Sequence, residues 1–140
     1  MKAKKKDPFM FKLRTFADEK GYLGVIENSE LDFEIVRCYF FSSPEGVIRG
    51  DHANRSVNQI LFATSGSITV DLIRGTFSKR FDLNELGDCL FIPSGYWRSV
   101  KMISKNVNCV ALADRNYDAN DYIYDLSEFN QWVEKQQVGE

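Results

Sequence analysis

Short runs of apolar and aromatic residues recur along the chain at roughly ten-residue spacing, with turn-forming residues between them. Their richness in Val, Ile, Phe, Tyr and Thr predicts β-strands. The predicted strands are Met10–Leu13, Leu23–Ile26, Glu34–Phe41, Gln59–Thr64, Ser67–Ile73, Thr76–Leu83, Cys89–Ile92, Arg98–Met102 and Asn108–Ala113. We expect Ser65-Gly66 and Arg74-Gly75 to form hairpin turns between the three central strands, because glycine readily takes a positive φ.

Only the C-terminal segment has a helical pattern. Phe129, Trp132 and Val133 follow the i, i+3, i+4 spacing of one helix face, and Ser127 is the predicted cap of a helix over residues 127–136. Many short strands followed by one helix predict an all-β jelly-roll barrel with a short C-terminal α-helix. Side chains that point into such a barrel line a cavity suited to a small molecule.

Length and composition limit the classes of protein. A chain of 140 residues, with 44% hydrophobic and 27% charged residues, is expected to form one globular domain over residues 1–140. Its net charge of -2 gives no indication of nucleic acid as a partner, and no apolar run has the length of a membrane span. Residues 1–9 begin with a basic segment and are interpreted as a flexible, solvated end.

The three cysteines are Cys38, Cys89 and Cys109. Their number is odd, they show no CxxC spacing, and each lies in an apolar, strand-like run. We interpret them as buried thiols in a reducing cytoplasm.

Two segments bounded by glycine carry the candidate chemistry. They read Gly46-x5-His52-x-Asn54-x4-Gln59-x6-Gly66 and Gly87-x5-Pro93-x-Gly95-x2-Arg98. The spacing resembles the paired motifs of metal-binding cupin barrels. In those barrels, His, His, Glu and His hold the metal at the positions of His52, Asn54, Gln59 and Arg98.

These four positions lack the ligands that a zinc or transition-metal site needs. Asn54 and Gln59 offer neutral amide oxygens, and the guanidinium of Arg98 repels cations. We therefore expect neither a metal nor another cofactor. His52, the only histidine in the chain, remains as a candidate proton-transfer base.

Further segments keep a recognisable order and spacing from about Phe11 to Trp132. They are Lys20–Leu23, Ile26-Glu27, Phe33–Phe40, Arg49–Asn54 with Gln59–Leu61, Pro93 with Trp97-Arg98, and Leu112-Ala113 followed by Tyr117-Asp118-x2-Asp121-Tyr122-Ile123. Together they resemble the cupin-type sugar-nucleotide 3,4-ketoisomerases, the WxcM-like or QdtA-type proteins. The resemblance implies a cytoplasmic enzyme that acts on a dTDP-linked 4-keto-6-deoxyhexose, in the biosynthesis of deoxyamino sugars for lipopolysaccharide, other surface glycans or antibiotics.

The resemblance also implies a homodimer. The runs near Met10–Leu13 and Leu23–Ile26 are the expected points of exchange, because the edges of jelly-roll sheets need covering. Small-molecule nucleotide sugar and a second copy are therefore the expected partners, without nucleic acid or membrane.

Moving a ketone from C4 to C3 requires a base for the C3 proton, donors for the two oxygens and cations for the diphosphate. The catalytic set that we predict is His52 as base, Tyr39 and Arg98 at the sugar oxygens, and Asn54 as a further polar contact. The predicted substrate-binding set is Arg37 and Arg49 at the diphosphate, together with Gln59, Lys20 and Trp97, the last at the cavity mouth.

Other interpretations stay open. Members of this family carry His-x-His where this chain has His52-Ala-Asn54, and an amide cannot shuttle a proton near neutral pH. The chain is therefore interpreted as a ketoisomerase or a related epimerase, or alternatively as a non-catalytic or regulatory cupin that binds a nucleotide sugar. Each candidate residue also has a purely structural interpretation. For Asp118 and Asp121, for example, the alternative is that they stabilise a loop through turn hydrogen bonds and have no other role.

Overall fold

The structure is a computed structural model, and it describes residues 7–138. Its elements are β1 (Phe9–Lys12), β2 (Arg14–Asp18), β3 (Gly21–Val25), a 3-10 helix (Asn28–Glu30), β4 (Arg37–Ser43), β5 (Ile48–Asn54), β6 (Gln59–Ser65), β7 (Ile68–Arg74), β8 (Phe77–Leu83), β9 (Asp88–Ile92), β10 (Trp97–Met102), β11 (Val107–Ala113), a second 3-10 helix (Ala119–Asp121), β12 (Tyr122–Ile123) and α1 (Leu126–Val138).

Ten of the strands in residues 7–138 form two five-stranded antiparallel sheets. The strand order is β1-β9-β6-β11-β4 in the first sheet and β12-β5-β10-β7-β8 in the second, while β2 and β3 form a separate hairpin. Apolar side chains from both sheets, among them Leu61, Leu72 and Leu90, pack into one core. Because β6 lies in one sheet and β7 in the other, the chain passes between layers as a jelly roll requires. The predicted fold class is confirmed.

Smaller apolar clusters cover the outer faces of both sheets. On the second sheet, Phe129 and Val133 of α1 pack against Trp97 and Ile123. On the first sheet, the connection from β3 to β4 contributes several apolar side chains: Ile26, Leu31, Phe33 and Ile35. Apolar side chains are therefore packed on both faces of each sheet, because outward-pointing residues of the strands also contact apolar partners.

Each of the nine predicted strands overlaps a strand of the structure. The sequence does not predict β2, β5 or β12, and β5 is the important omission because it carries His52. Its residues include Gly50, Asp51 and Asn54, which are all depleted in strands. The hydrogen bonds of this strand come from its neighbours, because β5 pairs with both β10 and β12.

One of the two predicted hairpin turns is wrong. Arg74-Gly75 does connect the paired strands β7 and β8. Ser65-Gly66 instead carries the chain from the first sheet to the second, since β6 and β7 do not pair. Gly66 has a φ of +81°, and a Cβ there would lie 2.8 Å from Oγ of Ser104 and 2.9 Å from Cγ2 of Val107. A positive φ marks a turn, but it does not reveal which sheet the next strand joins.

The expectation of three buried thiols is wrong for Cys38, which is exposed on the outer face of β4. Its neighbours Arg37 and Tyr39 point inward, and successive side chains of a strand point to opposite faces. Cys89 and Cys109 are buried. Burial raises the pKa of Cys89 to about 12 and that of Cys109 to about 11, so neither is a thiolate at neutral pH.

The two ends of the chain differ in how far they are described. Residues 1–6 of the predicted flexible end lie outside the described residues, and β1 begins at Phe9. The helix extends over Leu126–Val138, slightly beyond the predicted 127–136. Within residues 7–138, no helix combines the length and apolarity that crossing a membrane requires.

The N-cap of α1 is Asp125, which corrects the prediction of Ser127. Oδ1 of Asp125 accepts the backbone N–H of Glu128 at 2.9 Å. The backbone carbonyl of Asp125 accepts the N–H of Phe129 at 2.9 Å and so closes the first helical turn. A side-chain oxygen at this position satisfies an N–H that has no partner within the helix.

We predict that Asp125→Ala lowers the free energy of unfolding by about 1 kcal/mol, because the cap hydrogen bond is lost. Ser127→Ala is the matched control two residues away, and it should change the free energy by less than about 0.5 kcal/mol. Urea denaturation at one fixed protein concentration measures both. A larger effect from Ser127→Ala than from Asp125→Ala would contradict this assignment of the cap.

Candidate active site

A cavity of about 100 Å³ lies between the two sheets, beside the core. Its polar wall contains the predicted residues Tyr39, His52, Gln59 and Arg98. The remaining lining residues are Phe41, Arg49, Gly50, Leu61, Ile92 and Val100. The first sheet supplies Tyr39 and Gln59, while the second supplies His52 and Arg98, so both sheets are needed to assemble the site.

The protonation pattern of His52 follows from its one hydrogen bond to the backbone. Nδ1 lies 3.1 Å from the carbonyl oxygen of Gly50, which can only accept. In the neutral ring the hydrogen is therefore on Nδ1, and Nε2 carries the lone pair. Nε2 is buried and has no hydrogen-bond partner in the described part of the chain. The ring thus presents an unused proton acceptor.

Two effects keep His52 neutral. The pKa of His52 is lowered to about 4, mainly by burial and, to a smaller extent, by the nearby positive charge of Arg98. Arg98 lies directly opposite His52 in the β5–β10 pairing. A neutral imidazole can accept a proton, whereas an imidazolium cannot, so this environment favours a base over an acid.

Arg98 is only 3% exposed. Its Nη1 donates to Oε1 of Gln59, whereas Nε and Nη2 are buried and have no partner within residues 7–138. Burial lowers the pKa of Arg98 to about 10, so the guanidinium stays charged at neutral pH. A buried cation with unused donors is poised to stabilise a negatively charged oxygen in the cavity.

Gln59 connects Arg98 to Tyr39. Because a guanidinium only donates, the amide oxygen of Gln59 must face Arg98, and the amide nitrogen then donates to Oη of Tyr39 at 3.1 Å. The oxygen of Tyr39 accepts this bond, so its own O–H remains available for a ligand. The amide therefore orients two donors towards the same cavity.

Two further arginines lie close to these residues, although Arg37 is not itself a lining residue of the cavity. Arg49 lines the cavity, with Cζ 4.6 Å from the ring centroid of Phe41. Arg37 lies 4.6 Å from the ring of Tyr39, and its Nη1 donates to Oη of Tyr122 at 3.3 Å. Among the described residues, neither arginine forms an ion pair with a carboxylate. Both charges are available for an anionic ligand.

Asn54 is fully buried and does not line the cavity. Its Nδ2 donates to Oδ2 of Asp121 at 3.2 Å. Oδ1 of Asp121 accepts the backbone N–H of Ser56 at 2.9 Å, so Asp121 fixes the loop after β5. The structure therefore shows Asn54 tied to this loop, and its predicted catalytic role stays a prediction.

Two predicted substrate-binding residues lie elsewhere. The expected position of Trp97 at the cavity mouth is wrong: its side chain points away from Arg98 and packs 5.9 Å from Phe129 of α1. Consecutive residues of β10 face opposite sides, so Trp97 and Arg98 cannot both face inward. Lys20 lies in the turn of the β2–β3 hairpin, where its N–H donates to Asp18 at 2.8 Å, and it does not line the cavity of its own chain.

The sequence interpretation missed an aromatic group beside His52. Tyr122 and Tyr124 stack with centroids 5.7 Å apart, and their centroids lie 5.1 and 5.9 Å from that of His52. Tyr124 is exposed, as is Tyr117, which packs on Tyr122. The alternation of Tyr122 and Tyr124 around Ile123 was the available signal for a short strand with one aromatic face.

The residues at the cupin ligand positions do not fit a divalent transition metal. Arg98 places a buried positive charge next to His52, and Gln59 already uses its oxygen to accept from Arg98. No group of three or more His, Cys, Asp or Glu side chains within residues 7–138 is arranged to hold a metal ion.

Comparison with known proteins places the chain in a family. The family described as "FdtA: WxcM-like, C-terminal" matches residues 6–134. The chain is 29% identical over 120 residues to the TDP-4-oxo-6-deoxy-α-D-glucose-3,4-oxoisomerase of Aneurinibacillus thermoaerophilus, which covers 84% of this chain and 86% of that protein.

Solved structures agree in fold. A 3,4-ketoisomerase from Helicobacter canadensis is 32% identical, with a TM-score of 0.85 over 91% of this chain and 98% of the other. QdtA from Thermoanaerobacterium thermosaccharolyticum, a sugar 3,4-ketoisomerase solved in complex with TDP, is 26% identical, with a TM-score of 0.85 over 92% and 96% of the two chains. The family predicted from the sequence is confirmed: this chain belongs to the WxcM-like family described as FdtA.

Proposed function

We propose that this chain is a sugar 3,4-ketoisomerase that acts on a TDP-linked 4-keto-6-deoxyhexose. The single observation that carries the proposal is the neutral His52, whose buried Nε2 has no partner among the described residues and whose side chain lines the same cavity as the buried cation of Arg98. A ketone shift needs this combination of a base and a stabilised oxygen. The named activities of its relatives support the same reaction.

In the proposed reaction, Nε2 of His52 removes the proton from C3, which lies next to the C4 ketone. The C3–H electron pair forms the C3–C4 double bond, and the π electrons of the C4 carbonyl move to its oxygen. The oxyanion of the resulting enediolate is stabilised by Arg98 and by the hydroxyl of Tyr39. Transfer of the O3 proton to O4 and return of the proton from His52 to C4 leave a ketone at C3 and a hydroxyl at C4. The substrate and the product are isomers, so the reaction consumes no external oxidant or reductant.

Arg37 and Arg49 are the proposed partners of the diphosphate. Arg49 lines the cavity, and Arg37 lies against the lining residue Tyr39. The guanidinium carbon of each arginine lies 4.6 Å from the centroid of an aromatic ring. Stacking fixes an arginine in one orientation without neutralising it, so the donors remain directed towards an anion. In this arrangement the nucleotide stays at the rim while the hexose enters the cavity.

We also infer that the protein is a homodimer in the cytoplasm. The β2–β3 hairpin pairs with no other strand of the described chain. An isolated two-stranded hairpin is only marginally stable, so a partner surface is expected. Its apolar residues Phe16 and Leu23 are 56% and 59% exposed, which fits an interface with a second copy.

The test of the base is isotope exchange. Incubation of the protein with TDP-4-keto-6-deoxyglucose in D₂O should introduce deuterium at C3. His52→Asn should slow this exchange by at least about 10²-fold, because removal of a positioned base typically costs that much. NMR or mass spectrometry of the sugar measures the exchange, and calorimetry should find TDP affinity nearly unchanged.

The exchange experiment distinguishes a catalytic protein from a binding protein, and His52 from another base. A wild-type protein that binds TDP without C3 exchange above background would be a binding or regulatory protein. Exchange that persists in His52→Asn would mean that another residue is the base.

The pH dependence of kcat/KM should reveal the unusual environment of His52. Because burial and Arg98 lower the pKa of His52 to about 4, we predict that the acid limb lies near pH 4 rather than near 6.5. Arg98→Gln removes the smaller of the two causes, so its acid limb should move up in pH and remain below 6.5. A wild-type limb near 6.5 would contradict this account.

The lowered pKa of His52 also makes the protein less stable in acid. The unfolded chain protonates His52 near pH 6.5, before the native protein does, because the native pKa is lower. The contribution of neutral His52 to the free energy of unfolding is therefore fully present above about pH 6.5. It is lost progressively as the pH falls towards 4, because the unfolded chain then binds a proton that the native protein does not.

We predict that Leu23→Asp weakens the dimer, because it introduces a charge into the proposed interface. Light scattering at micromolar concentration should change from dimer to monomer. Ile48→Asp is the matched control, since Ile48 is a similarly exposed aliphatic residue, at 55%, on a strand of the second sheet. A monomeric wild-type protein, or equal effects of both changes, would contradict the proposed interface.

A further inference from the structure

We propose that Asp51 and Ser99 are positioning residues that aim His52 into the cavity by holding a β-bulge in β5. This inference deepens the proposed function, since it concerns the same base. Asp51 is exposed, and neither residue lines the cavity. Their role is therefore to act through the backbone that carries His52.

The bulge is visible in the strand register. Arg98 pairs with His52, but the next residue, Ser99, pairs with Gly50, so Asp51 is an extra residue without an opposite partner. Gly50 and Asp51 have φ values of +87° and +48°. Left-handed residues at such an insertion are characteristic of a β-bulge.

The insertion decides which side chains reach the cavity. Arg49 and His52 are three residues apart, and an odd separation places two side chains on opposite faces of a regular strand. Both nevertheless line the cavity, because the extra residue restores the alternation. Without the bulge, the proposed base and the proposed diphosphate-binding arginine would lie on opposite faces of the second sheet.

A left-handed aspartate needs support, because this conformation costs roughly 1 kcal/mol for a residue other than glycine. Oγ of Ser99 donates to Oδ1 of Asp51 at 2.6 Å, a short hydrogen bond to a charged acceptor. Ser99 directly follows Arg98 on the neighbouring strand. The pair therefore ties the bulge to the strand that carries the other charged group of the cavity.

Gly50 connects the bulge to the ring of His52 through a hydrogen bond. Its carbonyl oxygen accepts from Nδ1 of His52 at 3.1 Å, and this bond leaves the lone pair on Nε2. A Cβ on Gly50 would lie 3.1 Å from the carbonyl oxygen of Arg98 and 3.2 Å from its Cγ. The backbone at Gly50 thus contacts Arg98 closely while it sets the tautomer of His52.

The experiment compares Ser99→Ala and Asp51→Ala with Asp51→Asn. The two alanine variants lose the supporting hydrogen bond, and we expect kcat for C3 exchange to fall about 10- to 100-fold while TDP affinity changes less than about threefold. Asp51→Asn should recover most of kcat, because asparagine tolerates positive φ and its amide oxygen can accept from Ser99.

A second measurement does not depend on activity. His52 is the only histidine in the chain, so nitrogen-15 NMR of the untagged protein reports a single imidazole. We expect the Nδ1–H tautomer in the wild type and in Asp51→Asn. In Ser99→Ala the signal should shift towards a mixture of tautomers, because the carbonyl of Gly50 is no longer held in place.

The matched control is Thr69→Ala. Oγ1 of Thr69 donates to Oδ1 of Asp82 at 3.0 Å between two other strands of the same sheet, and neither residue lines the cavity. This change should leave both kcat and the tautomer unaltered. Wild-type kcat and tautomer in Ser99→Ala would overturn the inference, as would an equal loss in Thr69→Ala. A wild type that shows the Nδ1–H tautomer but no C3 exchange would refute the proposed function and leave the positioning role standing.

Discussion

The guanidinium of Arg98 is buried between two sheets and forms no ion pair with a carboxylate of the described residues. The other polar groups of the cavity are arranged around this charge. Removing a cation from water costs several kcal/mol unless new partners compensate. Gln59 satisfies one donor of the guanidinium, and two nitrogens stay unused. The fold therefore maintains an unfavourable arrangement, which an anionic oxygen in the cavity would relieve.

The same charge determines the state of His52. Burial and Arg98 both disfavour the imidazolium, so the ring is neutral well below neutral pH. A low pKa makes an imidazole a weaker base, which alone would slow proton abstraction. In the proposed reaction, Arg98 offsets this weakness, because it stabilises the enediolate that forms as the proton leaves. The base and the electrostatic stabiliser are thus adjacent residues of two paired strands rather than independent features.

The cavity also illustrates how a metal-binding frame can support different chemistry. Three of the four cupin ligand positions, those of His52, Gln59 and Arg98, still converge on the cavity. Gln59 joins Arg98 to Tyr39, so the converging side chains form a hydrogen-bonded chain in place of a coordination sphere. Asn54 at the fourth position faces Asp121 and helps to fix the loop before β6. The barrel fold brings these positions together, and the side chains at the positions determine which chemistry the site can perform.

The sequence by itself determined the fold class, the family and the residues of the polar wall, because strand alternation and motif spacing are local properties. Motif spacing identifies His52, Gln59 and Arg98, and the family resemblance adds Tyr39. Local patterns do not reveal contacts between layers, which is why they wrongly predict a hairpin at Ser65-Gly66 and a position at the cavity mouth for Trp97.

Only the tertiary structure decided how β5 presents its side chains. The strand contains few residues that favour strands, and its hydrogen bonds come from β10 and β12. Whether Asp51 occupies a paired position or an inserted one depends on the register against β10, and register is fixed by pairing across the sheet rather than by the strand's own sequence. The physical reason is that a single inserted residue reverses the facing of every residue beyond it, while it leaves the sequence pattern almost unchanged.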